Sequence, residues 1–264
     1  MKISLITACY NSAATIRTAM ESVLSQRGVD VEYLIIDGGS TDSTVDIIKE
    51  YSTRSTRSTR LTFKWLSERD QGMYDAINKG IKMATGDVVG ILNADDVLES
   101  PNTLAHVVEC FNCVERAERL DAVYADIRFV KDDLETTVRY YSAKHWKPWM
   151  LQWGKMPPHP SVYIRRELFE KYGLYKLGYD IAADYELLIR YLRMAKLKTK
   201  YLNESLVRMR MGGKSTRGWK SFVTLNKEIV RGNRENGYFC CFPMLLPKYL
   251  FKIFEFILPK LGLK

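Results

Sequence analysis

Two adjacent carboxylates, Asp95 and Asp96, end the run Gly86–Val97, G-D-V-V-G-I-L-N-A-D-D-V. The run opens on the turn pair Gly86-Asp87 and is apolar through Val88, Val89, Ile91 and Leu92. That is the pattern of a strand buried on both faces of a parallel sheet. Paired carboxylates at its carboxyl end are costly unless a positive group holds them. The same end is where open α/β sheets bind ligands. Hard divalent cations take oxygen ligands, and Mn²⁺ or Mg²⁺ is commonly shared between one or two carboxylates and substrate phosphates. The chemistry indicated is a metal–diphosphate site on Asp95 and Asp96. A helix N-cap accounts for one of the two, because Ser100-Pro101 and a helical pattern follow.

The elements that must position this pair alternate. Strands are expected at Ile3–Ala8, Val31–Ile36, Leu61–Leu66 and in the run above. Helices are expected over 13–26, from the Ser/Thr/Asp cluster 40–44 to Tyr51, and over Met73–Ala84. Strand and helix in alternation predict a doubly wound, mostly parallel sheet. The loops after the four strands carry Thr7–Asn11, Asp37–Asp42, Glu68–Gln71 and Asn93–Asp96, and all four belong on one edge. Together they describe a nucleotide-sized site with carboxylates for a base, a ribose and a metal. Arg69, Asp70 and Lys79 are expected at the donor side, with Asp70 beside the base.

Farther on, Ala122–Tyr141 predicts one or two strands broken near Lys131-Asp132-Asp133, and Trp146, Trp149 and Trp153 fall at helical spacing. Pro157–Pro160 is a rigid break before a short strand at Ser161–Ile164. Asp180–Glu186 opens an amphipathic helix running to about Ala195. A strand over Lys198–Met209 and a helix over Trp219–Arg234 complete the regular elements. Three S-T-R triplets over Ser52–Arg60 read as an expanded basic surface loop.

The 264 residues suit one large α/β domain or one with a small appendage. Net charge +9 and a pI near 9.2 point to an anionic partner. There is no G-x-x-x-x-G-K-[ST] and no G-x-G-x-x-G after the first strand, so a P-loop ATPase and a dinucleotide dehydrogenase are excluded. Cys110 and Cys113 form a lone C-x-x-C inside a helical pattern, with no second pair to complete a zinc site. Scattered thiols fit a reducing cytoplasm. The N-terminus runs straight into a strand, so no signal peptide is expected. No window is long and apolar enough for a transmembrane span.

The last stretch, 238–264, mixes Phe239, Phe242, Leu245, Phe251, Phe254 and Phe256 with Lys248, Lys252, Lys260 and Lys264. A basic amphipathic segment of this kind lies in the membrane interface. A terminal helix packed on the core, or the interface of a homodimer, accounts for the same pattern.

These residues resemble the family 2 glycosyltransferases, the large inverting group with the GT-A fold. The matching stretches are 6–12 (I-T-A-C-Y-N-S), 35–44 (I-I-D-G-G-S-T-D-S-T), 67–81 (S-E-R-D-Q-G-M-Y-D-A-I-N-K-G-I), 86–96, 159–173 (H-P-S-V-Y-I-R-R-E-L-F-E-K-Y-G) and 183–190 (A-D-Y-E-L-L-I-R). They run in family order over about 1–215. The resemblance implies a GT-A domain over 1–215, with a nucleotide-sugar half (1–98) and an acceptor half (99–215); beyond the resemblance, the residue pattern of 216–264 reads as a helical, membrane-associating extension. It implies that Thr7, Ala8, Tyr10 and Asp37 hold the base and ribose, that Asn93-Ala94-Asp95 stands at the family's D-x-D element, and that Asp184 is the general base.

On residue pattern alone Asp184 reads as a helix cap; the resemblance makes it the base, with Glu186 as second candidate. Two departures stand out. Loop two is Asp37-Gly38-Gly39-Ser40 where the common form is D-D-G-S, and Asn93 replaces the first Asp of D-x-D. No Q-x-x-R-W is present, so a processive polysaccharide synthase is not indicated.

The resulting expectation is metal-dependent, inverting transfer of a sugar from a nucleoside-diphosphate sugar, UDP-linked, to an acceptor hydroxyl. The acceptor is a lipid-linked glycan of surface-polysaccharide assembly, at the cytoplasmic face of the cell membrane. His159 and Trp153 are candidates for a sugar pocket, and Arg208, Arg210 and Lys214 for phosphate contacts. Other classes compatible with the charge are a basic nucleic-acid-binding protein and a metal-dependent nucleotidyltransferase. The first lacks any interleaving of aromatic and basic residues, so no nucleic-acid partner is expected.

Overall fold

The computed structural model describes residues 1–54, 60–113, 119–212 and 218–249. Its first half alternates as the pattern predicts: β1 (Lys2–Cys9), α1 (Ile16–Leu24), β2 (Asp30–Asp37), α2 (Thr44–Arg54), β3 (Leu61–Ser67), α3 (Met73–Met83) and β4 (Val88–Ile91). β5 (Val97–Leu98), α4 (Thr103–Asn112), β6 (Ala122–Val130), β7 (Thr137–Tyr141), β8 (Tyr163–Arg165), α5 (Glu167–Tyr172), α6 (Ala183–Leu188), β9 (Thr199–Arg210) and α7 (Trp219–Glu235) follow.

The described strands form one sheet in the order β3-β2-β1-β4-β8-β6-β9-β5, with β7 paired to β6. β3, β2, β1 and β4 are mutually parallel. β8 runs antiparallel to both β4 and β6, and β9 is parallel to β6. The carboxyl ends of β1–β4 and of β9 therefore lie on the same edge.

β1 and β2 are central and read as apolar runs because helices cover both faces: Ile3, Leu5, Ile6, Leu34, Ile35 and Ile36 are fully buried. Each such side chain contributes about 1.5–3 kcal/mol of transfer free energy. α3 lies against this layer with Tyr74, Ile77 and Ile81 inward. It approaches so closely at Gly80 that a Cβ there would stand 2.5 Å from Ile6 Cγ2.

Three details differ from expectation. α2 runs through the first S-T-R triplet, because Ser52 and Thr53 hydroxyls bond back to the carbonyls of Lys49 and Glu50 at 2.9 and 2.7 Å and stay within the helix. The rest of that repeat, 55–59, lies outside the described residues, as do the end of the helix expected to reach residue 118, the loop 213–217 with Lys214, and 250–264. The helix expected over 180–195 is α6 followed by a π-helical turn at Ile189–Met194. Arg190 fixes this junction by donating to Glu186 and to the carbonyls of Tyr172, Gly173 and Leu174. The tryptophans Trp149 and Trp153 belong to a 3-10 turn that starts at Pro148 and stops at Gly154 in the left-handed region (φ 78°).

Candidate active site

The loops after β1, β2 and β3 are laced to one another. Asn11, itself at φ 48°, accepts the Thr41 N–H at 2.9 Å, and its own N–H donates to Ser40 Oγ at 2.8 Å. Ser12 N–H donates to Thr44 Oγ1 at 2.8 Å and Ala13 N–H to Asp42 at 3.1 Å. Gly38 N–H bonds the Cys9 carbonyl at 2.9 Å, and Glu68 N–H bonds the Asp37 carbonyl at 3.0 Å. These hydrogen bonds tie the loops after β1, β2 and β3 to one another at this edge.

Asp37 is the post of this lattice. It is fully buried, accepts from Ser40 Oγ, and takes Gly39 N–H, Ser40 N–H and Ser67 Oγ at 3.1, 3.0 and 2.7 Å. Burial alone would raise its pKa, but the hydrogen bonds from Ser40, Ser67 and Gly39 outweigh it and hold Asp37 below the usual carboxylate value. Thr7 is likewise turned inward, its hydroxyl 3.1 Å from Tyr33 OH. Ala8 is half-buried, and the Tyr10 ring is 60% exposed at the rim. Cys9 is buried, and burial followed by the charge of Asp37 pushes its thiol well up, so it stays neutral.

Asp70 reaches across from the third loop. Its Oδ1 accepts Gly72 N–H at 2.8 Å, and its Oδ2 lies where a side chain on Gly38 would begin, 2.4 Å from the position of a Cβ. The carboxylate missing from position 38 is therefore replaced in space by one from the neighbouring loop. Lys79 supports that loop instead of facing outward: its Nζ donates to the Arg69 carbonyl at 3.0 Å and pairs with Glu68 at 2.9 Å.

After β4 the expected carboxylate pair divides. Asp96 is fully buried, with Oδ2 on Asn93 Nδ2 at 2.8 Å and Oδ1 on the Arg210 N–H at 3.2 Å. Asp95 is only half-buried, and Ala94 packs inward. Arg210, at the end of β9, donates Nη1 to the Asp95 carbonyl at 3.0 Å, so it stands at this corner. Arg208 does not: it is tied to Glu135 and to the carbonyls of Leu134 and Glu99. Among the described residues no three His, Cys, Asp or Glu side chains cluster as a metal cage. A single open carboxylate of hard oxygen character still suits Mn²⁺ or Mg²⁺, which complete their coordination with phosphate oxygens and water.

The second centre is Asp184, at the start of α6. Its Oδ1 accepts Tyr185 N–H at 2.7 Å and lies 3.4 Å from the hydroxyl of Tyr74, which donates to the Ile181 carbonyl at 2.5 Å. Tyr74 opens α3, directly after the third loop, and stacks on Tyr175 with centroids 5.8 Å apart. Tyr175 OH in turn meets His159 Nε2 at 2.6 Å. Burial raises the Asp184 pKa, and the neighbouring His159, Tyr185 N–H and Tyr74 OH only partly offset it. His159 is pushed the other way, lowered by burial, so it is neutral near pH 7. A carboxylate with a raised pKa in such a setting is suited to accept a proton.

Glu186, the second candidate base, is spent elsewhere: fully buried, it binds Arg190, Lys176 and Asn236 at 2.9, 3.0 and 3.1 Å. Tyr74 and Tyr175 were not singled out by sequence. Tyr74 lies inside the stretch 67–81, but nothing in its neighbours announces a contact 110 residues away.

α7 and the segment after it pack on the second half of the chain through Ile229, Cys240 and Leu245, all buried, while Trp219 (75%), Phe239 (70%) and Leu246 (53%) face outward. The described part of this segment is thus partly packed on the protein and partly exposed. No described helix is long and apolar enough to cross a membrane.

With this geometry in hand, comparison with known proteins is informative. Residues 4–173 match the family described as Glycosyl transferase family 2. A PGL/p-HBAD biosynthesis glycosyltransferase of Mycobacterium bovis is 32% identical over 200 residues, covering 76% of this chain and 73% of that protein. An uncharacterized glycosyltransferase of Nostoc is 32% identical over 220 residues, covering 81% of this chain and 66% of that protein. Among solved structures, TarS 1–349 of S. aureus in complex with UDP-GlcNAc superposes with a TM-score of 0.65 at 17% identity, over 88% of this chain and 66% of that one. The mannosyltransferase PcManGT of Pyrobaculum calidifontis, in complex with GDP-Man and Mn²⁺, does so with 0.64 at 19% identity, over 89% and 63%. The chain thus spans under two thirds of the length of these solved structures, and the likeness to them is one of fold.

Proposed function

The chain belongs to glycosyl transferase family 2 and has the GT-A α/β fold, and from that premise we propose that it transfers a sugar, with inversion, from a UDP-sugar to an acceptor hydroxyl. The observation that carries this reading is the Tyr74 contact: the hydroxyl of Tyr74, on the helix that follows the third loop, lies 3.4 Å from Asp184, which supports reading the loops and Asp184 as parts of one site.

In this reading the laced loops hold the nucleoside, with Thr7 and Ala8 contributing backbone, Tyr10 an aromatic face and Asp70 a carboxylate, while Asp37 and Lys79 keep the loops in place. Asp95, beside Asn93 and Ala94, is the residue that would hold Mn²⁺ or Mg²⁺ with the donor diphosphate, and Asp96 fixes the loop that presents it. When bound, such an ion would supply positive charge to the departing diphosphate. Asp184 takes the proton of the acceptor hydroxyl as that oxygen attacks the anomeric carbon. The neutral, half-buried His159 holds Tyr175, and Tyr175 backs the Tyr74 ring, which limits the motion of the base.

The acceptor we propose is a lipid-linked glycan. Trp219, Phe239, Phe242 and Leu246 are exposed, and a groove of about 540 Å³ that Phe242 lines also carries Lys227, Arg231, Arg234 and Glu235, the last paired with Arg231. Exposed aromatics among cations suit the headgroup region of an anionic membrane, which would place the enzyme peripherally on the cytoplasmic face.

The experiment is a panel of UDP- and GDP-sugars, assayed for nucleoside-diphosphate release with Mn²⁺ and with EDTA. Release from one UDP-sugar, abolished by EDTA and by Asp184→Asn, supports the reading. Release from GDP-sugars alone moves the donor class, and release of pyrophosphate identifies a nucleotidyltransferase instead.

A further inference from the structure

α7 faces the base-bearing segment with a polar stripe. Glu228 accepts three backbone N–H groups in succession, those of Asp180, Ile181 and Ala182, at 2.6, 2.9 and 2.8 Å. One turn on, Gly232 brings the helices together: a Cβ there would lie 3.5 Å from Glu186 Cβ. Asn233 Nδ2 donates to Tyr185 OH at 3.2 Å, and Asn236 Nδ2 to Glu186 Oε1 at 3.1 Å. Positions 228, 232 and 236 recur every four residues and form one buried row.

A buried carboxylate is not the stabilising choice for a helix–helix contact, where apolar residues do as well or better. It is the choice when backbone donors must be held in one orientation. The turn 180–182 leads directly into α6, and its N-cap position, Ala182, has no side chain that can cap. Glu228 supplies from another helix the acceptors this turn lacks. With the three peptides fixed, the Ile181 carbonyl points at Tyr74 OH, and the Asp184 carboxylate meets the same hydroxyl.

We propose that Glu228 is a positioning residue for Asp184, holding the base against Tyr74 through the turn 180–182. The proposal rests on the reading of Asp184 as the base. The titratable groups facing Asp184 are His159, Tyr74 and Tyr175, and none lies on α7.

The test compares wild type, Glu228→Gln, Glu228→Asp and Asp184→Asn. Two readouts are used: donor turnover against pH, as UDP release from the most active UDP-sugar with water as acceptor, and ¹³C-carboxyl NMR titration, with Asp184 assigned by its loss in Asp184→Asn. Gln is isosteric but turns a donor toward backbone N–H groups. The expected result is a kcat about 10–100-fold lower with donor KM unchanged, and an Asp184 midpoint that falls by about half a pH unit or more as the side chain gains solvent. Glu228→Asp, one methylene shorter, should fall between wild type and Gln; it carries the test if Gln fails to fold. A folded Glu228 variant with the Asp184 midpoint and the acid limb of kcat unchanged overturns the proposal. If instead Glu228→Gln moves the midpoint while Asp184→Asn turns over like wild type, positioning stands and the base assignment falls.

Discussion

Asn93 donates its side-chain amide to Asp96 at 2.8 Å, and this bond accounts for the departure from a D-x-D sequence. Asp96 is fully buried, with the Arg210 N–H at 3.2 Å on its other oxygen. Burial, then the charge of Asp95, pushes its pKa well up, and Asn93 is one of the few groups opposing this. An Asp at position 93 would replace the amide donor by a second carboxyl, so the pair could keep its bond only by holding a proton between the two groups. Asn93→Asp is therefore expected to destabilise the fold by about 1–3 kcal/mol near pH 7. Urea unfolding of the two proteins measures this directly. Equal stability would mean that Asp96 finds another donor.

The two carboxylates should separate cleanly on mutation. Asp95 is half-buried with no side-chain hydrogen bond among those resolved, whereas both oxygens of Asp96 are engaged. Asp95→Ala should leave intrinsic stability within about 0.5 kcal/mol but remove Mn²⁺-dependent stabilisation by UDP, which at 100 times its dissociation constant is worth about 2.7 kcal/mol. Asp96→Ala should cost about 1–3 kcal/mol without ligand, from the orphaned Asn93 and Arg210 donors. A thermal-shift series with UDP, with Mn²⁺ and with EDTA, distinguishes them. UDP protection of Asp95→Ala equal to wild type would remove Asp95 from the site.

Gly38 and Asp70 give a test of the nucleoside side. A Cβ at 38 would stand 2.4 Å from Asp70 Oδ2, the tip of a side chain that can swing away. Gly38→Ala should therefore cost little stability, below about 1 kcal/mol, while displacing Asp70. UDP affinity, measured by calorimetry, should fall by about tenfold, the loss of one charge-assisted hydrogen bond. Asp70→Ala should lose the same amount, and the double variant no more than either. Additive losses would show that Gly38 and Asp70 act separately.

The sequence made the donor half readable because its signals are local. Apolar runs bounded by Gly and Asp gave the parallel strands, and parallel strands bring their following loops to one edge wherever the residues lie in the chain. The division of labour within those loops was not readable. Asp37, Thr7 and Lys79 have the residue types of ligand contacts, yet their side chains are used on Ser40, Tyr33 and Glu68. Whether a polar group points inward is decided by partners on other strands. The link of Tyr74 to Asp184, and of Glu228 to the turn before it, joins residues 110 and 46–48 positions apart, beyond any periodicity. The π-turn after Leu188 was hidden for the same reason, since Arg190 draws its partners from the end of α5.

Asp184→Asn should raise stability while it removes turnover. The folded-state pKa of Asp184 is raised, by burial above all. Between the ordinary carboxylate value and that raised value, the folded protein holds a proton that the unfolded chain has released. Stability therefore falls as pH rises through this window, and at neutral pH the ionised, half-buried carboxylate opposes folding. Asn removes the charge and keeps the shape. The variant should be the more stable protein at pH 7, and the difference should narrow as the pH drops toward the ordinary carboxylate value of about 3.9 and close below it, where wild-type Asp184 is protonated in both states.

His159 is a separate contribution with the opposite dependence. Its pKa is lowered by burial, so its share of stability is lost as pH falls below about 6.5 toward its folded value. The Asp184 charge opposes this lowering, so His159 titrates lower still in Asp184→Asn and the two contributions are coupled; the stabilities are therefore compared at pH 7–8, where His159 is largely neutral in both proteins. For turnover, loss of the general base should lower kcat by about 10²–10⁴, and the acid limb of the wild-type profile should lie above the ordinary carboxylate range. Thermal unfolding and donor turnover of both proteins across pH 4–8 decide the matter. A variant that is less stable at pH 7 and still active would mean that Asp184 is a structural cap, with its charge satisfied by the N–H of Tyr185.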